Sequence, residues 1–232
     1  MFQPVRIAPS ILSADFMNLE RDIRLVEEAG AGFVHVDVMD GHFVPNLTIG
    51  VPVLKQLARV TDLPLDVHLM IDNPLREIPW FLEAGADFVT VHAEALANED
   101  EMQQAINMIH DAGARAALSV KPKTPVSAIE EFIPQLDMVL LMSVEPGFSG
   151  QSYIAGTEDK VAEVVRIARQ RCCDPLVQVD GGIGAATAPL VVGAGADVLV
   201  TGNAFFKAED PAKALADIAR AADEARARAV GE

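Results

Sequence analysis

Cysteine is scarce in this chain: the only two, Cys172 and Cys173, are neighbours. Adjacent thiols supply neither a disulfide framework nor a Cys-based zinc site, so a reducing compartment is expected. Only Arg169 and Arg171 lie near enough in sequence to favour thiolate, which argues against a redox pair. Basic residues are also few. Eighteen Lys and Arg stand against thirty-four Asp and Glu, a net charge of −16, which opposes binding to nucleic acid or to an anionic membrane. An anionic ligand would need local donors such as backbone N–H groups to overcome that field. No apolar run approaches the length of a membrane span. The opening MFQPVRIAPS lacks a cationic start, a long apolar core and a cleavage motif, so a cytosolic location is expected. No linker, low-complexity tract or block of like charge divides the 232 residues, half of which are hydrophobic. One domain spanning residues 1–232 is the expectation.

What is present is a repeat. Ala-Gly-Ala recurs at 29–31, 84–86, 112–114 and 194–196, each time after a helical pattern and before an apolar strand pattern. Gly30, Gly85, Gly113 and Gly195 therefore read as helix C-terminal caps that turn directly into strands. Their separations of 55, 28 and 82 residues are close to two, one and three copies of a strand-plus-helix unit of about 28 residues. Roughly eight such units fill the chain, the number that closes a (β/α)₈ TIM barrel of parallel strands. The remaining strands are VRIAPSIL, LDVHLM, MVLLMSV and LVQVDGG. Helical spacing joins Phe16, Leu19, Ile23 and Val26 in one helix and Val161, Val164, Val165 and Ala168 in another. Asp210 and Pro211 read as the N-cap and first residue of the last helix.

Within that pattern, FVHVDVMDG (33–41) and LVQVDGG (176–182) each end an apolar strand in aspartate followed by glycine. Alternation puts His35 and Asp37 on one side of their strand, and PLDVHLM (64–70) ends with His68 at a similar place. Taken singly, Asp before Gly is turn chemistry and a strand-end His is a satisfied polar residue. Taken together in a barrel, His35, Asp37, His68 and Asp180 converge on the C-terminal face where barrel active sites lie. Such a set suits one divalent metal, and its two carboxylates suit proton transfer. His92 and Glu94 in TVHAE form a second strand-end pair that spacing does not exclude as ligands. Three glycine-bearing segments follow late strands: PGFSGQS (146–152), DGGIG (180–184) and TGNAFF (201–206). Backbone N–H groups in such loops commonly hold phosphate, which points to a small phosphorylated substrate.

APSILSADF, HVDVMDGHFVPNLTIG, DVHLMIDNP, EPGFSGQSYI and QVDGGI resemble the signature segments of the ribulose-phosphate 3-epimerase family, over nearly the whole chain. That resemblance implies a TIM barrel interconverting D-ribulose 5-phosphate and D-xylulose 5-phosphate through a metal-stabilised enediolate, in the pentose phosphate pathway and the Calvin cycle. It implies that His35, Asp37, His68 and Asp180 bind the metal, with Asp37 and Asp180 as acid and base. Ser10 and His68 become sugar contacts, and Gly147, Phe148, Ser149, Gly150, Gly181, Gly182, Gly202 and Asn203 surround the substrate, chiefly its phosphate. Met39, Met70 and Met142 match methionines lining the family's site, although their sequence context alone reads as core. Ser149 stands where glycine is commonest in the family and Asn203 where serine is usual, which bears on the choice between ribulose 5-phosphate and allulose 6-phosphate, the substrate of a related family.

Inverting a carbon beside a ketone requires proton removal on one face and return on the other, a task suited to two carboxylates approaching from opposite sides. A divalent metal polarises the substrate oxygens and keeps two carboxylates close. Two His and two carboxylates suit Zn²⁺, Fe²⁺, Mn²⁺ or Co²⁺ equally. The GFSGQ loop is expected to act as a lid. Two rival functions share the barrel: a Schiff-base or decarboxylating lyase using Lys121 or Lys123, and a non-catalytic phosphosugar-binding protein. Association with copies of itself through outer helices or loops is expected.

Overall fold

The computed structural model describes residues 4–229 and Gly231. Eight parallel strands occur in chain order: β1 (Arg6–Pro9), β2 (Val34–Met39), β3 (Leu65–Met70), β4 (Phe88–His92), β5 (Arg115–Val120), β6 (Met138–Met142), β7 (Leu176–Asp180) and β8 (Val198–Thr201). Each pairs with its sequence neighbour from β2 through β8, and β8 pairs with β1. The last gap, between β1 and β2, is closed by a parallel bridge from Ser10 to His35 and by the Gly32 N–H donating to the Ile7 carbonyl at 2.8 Å. The result is the expected (β/α)₈ barrel.

The helices wrap the strands: α1 (Leu19–Glu28), α2 (Val51–Val60), α3 (Pro74–Leu82), α4 (Glu99–Asp111), α5 (Thr157–Arg171), α6 (Ala188–Ala194), a short α7 (Asn203–Phe206) and α8 (Pro211–Ala229). Gly30, Gly85, Gly113 and Gly195 all have positive φ, between 79° and 117°, as the repeat predicted for helix-terminating residues. Asp210 caps α8 through its carboxylate, which accepts the Lys213 N–H at 3.0 Å. Two elements depart from the regular pattern. Between β5 and β6 the chain makes only two 3₁₀ turns, Val126–Ala128 and Ile133–Gln135, which cover that side of the barrel by burying Val126 and Ile133. Phe16 belongs to a separate 3₁₀ turn before α1 and is 47% exposed, so the core face of that helix is carried by Leu19, Ile23 and Val26.

Both strand faces are buried, as parallel barrel strands require. Outward residues such as Val36, Val67, Val89, Leu118, Val139 and Val177 pack against helices in one continuous apolar cluster. The inward residues form layers. At the N-terminal ends Ala8, Phe33, Phe88, Ala117, Met138 and Val198 make an apolar plug. Two residues further along, the same strand faces present His35, Thr90, Ser119 and Gln178, joined by Asp66, and all five are fully buried. Another two residues along come Asp37, His68, His92, Met142 and Asp180. The strands thus change from hydrocarbon to ionisable chemistry over four residues of rise, about 13 Å.

Candidate active site

Strand register brings the four residues singled out in the sequence together. Asp37 pairs across β2–β3 with His68, and His35 pairs with Asp66 one layer below. Asp180 ends β7 on the far side of the barrel. One ligand atom from each of His35, Asp37, His68 and Asp180 lies within 4.8 Å of all the others. His35 sits deeper than a strand end, fully buried, and reaches up to the group from below.

Each histidine is oriented from behind. The Asp66 carboxylate lies 2.7 Å from His35 Nδ1 and also accepts the Gln178 amide at 2.6 Å. With Nδ1–H given to Asp66, His35 Nε2 is the ring atom turned toward the group, 3.4 Å from Asp37 Oδ1. That buried nitrogen has no hydrogen-bond partner, as suits a ligand nitrogen, and the whole donor set of two imidazoles and two carboxylates fits a divalent transition metal. His68 Nδ1 lies 3.2 Å from Asp37 Oδ1 and 3.8 Å from Asp180 Oδ2. Its Nε2 is 2.9 Å from His92 Nε2, and His92 Nδ1 is 3.2 Å from Glu94 Oε2. The TVHAE pair therefore stands behind His68, outside the group of four.

Electrostatics separate the two acids. Burial penalises the Asp37 carboxylate, yet His35 and His68 outweigh it and hold its pKa far below the usual range. Ser10 Oγ donates to Asp37 as well. Burial and the neighbouring Asp37 charge instead push Asp180 up to about 6. Burial would neutralise His35, but Asp66 and Asp37 prevail and keep its pKa well above an ordinary histidine. Two carboxylates at one site with pKa values driven apart are the pattern of an acid–base pair.

Above the four residues opens a cavity of about 420 Å³, in the range of small-molecule sites. Its lining includes Ser10, Asp37, Asp180, Gly147, Phe148, Ser149, Gly150, Gly181, Gly182, Gly202 and Asn203. Met39, Met70 and Met142 form part of its wall while being 3% exposed or less, so they serve core and site together. Gly182 has φ +62°, and a Cβ there would collide with the Tyr153 backbone, so the close approach of the two loops requires glycine. The loop over the cavity is clipped on two sides. Asn46 donates to the Gly147 carbonyl at 2.8 Å, and the Gln151 amide donates to the carbonyls of Glu145 and Phe148. Phe148 nonetheless remains 55% exposed at its tip.

Other sequence candidates fall elsewhere. In the MDG segment, Asp40 performs the turn chemistry: its carboxylate accepts the N–H groups of His42, Phe43 and Asp72. Lys121 and Lys123 are not among the cavity-lining residues. Lys121 Nζ rests over the Phe43 ring at 3.8 Å, and Lys123 is 92% exposed. Asp66 and Gln178, which support His35, went unnoticed in the sequence although strand alternation places both on the inner face. Leu12, Val144 and Thr187, also in the cavity wall, carry no sequence signal that distinguishes them.

No helix among the described residues is long and apolar enough to cross a membrane. The family model described as "Ribulose-phosphate 3 epimerase family" matches residues 6–206. A ribulose-phosphate 3-epimerase of Bacillus subtilis is 49% identical over 215 residues, covering 92% of this chain and 98% of that protein. A chloroplastic ribulose-5-phosphate-3-epimerase of Arabidopsis thaliana is 46% identical over 212 residues, covering 91% and 75%. Among solved structures, the 3-hexulose-6-phosphate synthase of Salmonella typhimurium superposes with a TM-score of 0.66 at 18% identity, covering 95% of this chain and 99% of that one, a likeness of fold alone. With the family match running from the first barrel strand to α7, and with such close relatives along most of its length, the chain belongs to the ribulose-phosphate 3-epimerase family and is an enzyme of the epimerase kind.

Proposed function

We propose that residues 1–232 act as a single catalytic barrel that interconverts D-ribulose 5-phosphate and D-xylulose 5-phosphate by inverting C3. The observation that carries this reading is the facing of Asp37 and Asp180 from β2 and β7 at the floor of one cavity, with their pKa values pushed in opposite directions. Asp37 is ionised and faces the cavity, the proton acceptor in one direction. Asp180, with its raised pKa, is ready to give a proton, and in the reverse direction the roles exchange. His35, Asp37, His68 and Asp180 would hold one Zn²⁺, Fe²⁺, Mn²⁺ or Co²⁺, which when bound polarises the substrate oxygens and offsets the negative charge that develops on them. Ser10, hydrogen-bonded to Asp37, orients that carboxylate and is placed to meet the sugar. The methionine wall excludes water from the reacting carbon without offering a competing acid. Gly147, Phe148, Ser149 and Gly150 from one loop, with Gly181, Gly182, Gly202 and Asn203 from two others, surround the phosphate with backbone donors and fix the reacting end from a distance.

Incubation with ribulose 5-phosphate in D₂O tests this directly. Deuterium should enter C3 as xylulose 5-phosphate forms, and both should cease when the metal is removed and return when it is restored. A protein that binds the sugar phosphate but exchanges no C3 proton is a binding protein. Full turnover after rigorous metal removal would refute the metal assignment, and a clear kcat/KM advantage for allulose 6-phosphate would overturn the choice of substrate.

A further inference from the structure

We infer that Glu94 and His92 are positioning residues that set the tautomer of His68, so that its Nδ1 lone pair faces the cluster. The inference deepens the proposed metal reading and rests on it for its purpose. The hydrogen bonds form one directed chain. Glu94 Oε1 accepts the backbone N–H of Lys121 at 2.7 Å, and Glu94 Oε2 faces His92 Nδ1 at 3.2 Å. A carboxylate offers only acceptors, so His92 must carry its proton on Nδ1. The Nε2 of neutral His92 is then a bare acceptor. It lies 2.9 Å from His68 Nε2, which must be the donor. A neutral His68 that donates from Nε2 has its lone pair on Nδ1, the atom 3.2 Å from Asp37 and 3.8 Å from Asp180.

Packing leaves these rings little freedom. His68 and His92 are fully buried with centroids 5.0 Å apart, and Phe43 covers His92 at 4.9 Å. Both ends of the chain meet a carboxylate at 3.2 Å, Glu94 at His92 Nδ1 and Asp37 at His68 Nδ1; a cation held at the cluster would take the His68 Nδ1 lone pair, which leaves Glu94, about two side chains from the site, to fix the direction. Left to itself, His68 beside two carboxylates would place a proton on Nδ1 and donate it to Asp37. The Glu94–His92 chain opposes that arrangement. It is also distinct from the support behind His35, where Asp66 acts on the ligand imidazole without an intermediary.

Glu94→Gln should reverse the chain. The Lys121 N–H is a fixed donor, so the amide oxygen must take its place opposite it. The amide N–H₂ then faces His92 Nδ1. His92 must turn acceptor there and donor at Nε2, which forces His68 to accept at Nε2 and to put its proton on Nδ1. The Thr124 hydroxyl, which also reaches Glu94, can donate or accept and does not decide the direction.

Nitrogen-15 imidazole spectra of the full-length protein, with and without Zn²⁺, read the tautomers. In the wild type His68 should be protonated at Nε2 and His92 at Nδ1 in both states. In Glu94→Gln the metal-free protein should show His92 protonated at Nε2 and His68 bare at Nε2. Zinc affinity, measured by competition with a chelator, should fall about 10- to 100-fold. A thermal melt close to that of the wild type would show that the variant folds. Wild-type His92 protonated at Nε2 would overturn the inference whether or not the variant folds, and so would a folded variant with unchanged tautomers and zinc affinity. Wild-type protein with the expected tautomers that binds no zinc would uphold the positioning chain and overturn the metal reading instead.

Discussion

The two ends of the barrel interior are built from the same strands yet do opposite work. At the N-terminal end Phe33 and Phe88 meet edge to face with centroids 5.4 Å apart, Met138 and Val198 fill the space beside them, and Arg6 and Arg115 each lie 5.0 Å from a ring centroid. At the other end the same inward faces carry three aspartates, Asp37, Asp66 and Asp180, and three histidines, His35, His68 and His92. The lower layer gains from burying hydrocarbon. The upper layer holds like charges together and keeps a buried imidazole nitrogen without a partner, a cost that the lower layer and the outer helix shell offset. The proposed function assigns stability to one end and chemistry to the other, and substitutions should separate the two.

The largest effect is expected at the mouth. Asp37→Asn or Asp180→Asn should lower epimerisation by about 10²- to 10⁴-fold, the range for a lost general acid or base; the melting temperature should not fall in Asp180→Asn, whose charge is unfavourable in the fold, and should fall modestly in Asp37→Asn, whose charge His35 and His68 stabilise. Steady-state kinetics beside calorimetry would check this, and a parallel collapse of stability would erase the division. Phe33→Ala at the plug should do the reverse. It should destabilise by about 3–5 kcal/mol in denaturant titrations while the folded fraction keeps its kcat.

A smaller effect distinguishes the ends by pH. Without metal, His35 retains a proton near neutrality because its pKa is raised, and Asp180, pushed up to about 6, begins to take one below that. A cation must displace those protons, so zinc affinity should fall as pH falls and level off once both groups are deprotonated. Calorimetry in buffers of different ionisation enthalpy should detect proton release on binding; no release at neutral pH would contradict the electrostatic picture. The smallest effect is expected from Arg6→Met, which keeps the aliphatic stem over Phe33 but removes the cation. Stability should drop by about 0.5–1 kcal/mol with activity unaltered.

The sequence exposed most of this architecture because its cues were local. Alanine-glycine caps at fixed spacing revealed the barrel, and the alternation of His35 with Asp37 followed from strand pleat alone. What it hid depended on register. Whether His92 joins the ligands or stands behind His68 is set by how β3 pairs with β4, and the role of Gln178 by an approach to Asp66 from 112 residues away. Phe16 misled because helical spacing extends across a break where Asp15 caps a 3₁₀ turn. Asp37 and Asp40 look alike in the sequence, and only the loop N–H groups gathered by Asp40 distinguish turn chemistry from a cavity-facing acid.

The central claim is that the mouth holds two acids serving opposite faces of one carbon. Deuterium exchange at C3, followed separately from each epimer in Asp37→Asn and in Asp180→Asn with metal occupancy verified, tests it most directly. Each variant should retain exchange in only one epimer, and the retained epimer should differ between the two variants. If one variant exchanges both epimers at wild-type rates while the other exchanges neither, a single base does the chemistry and the two-carboxylate account is wrong.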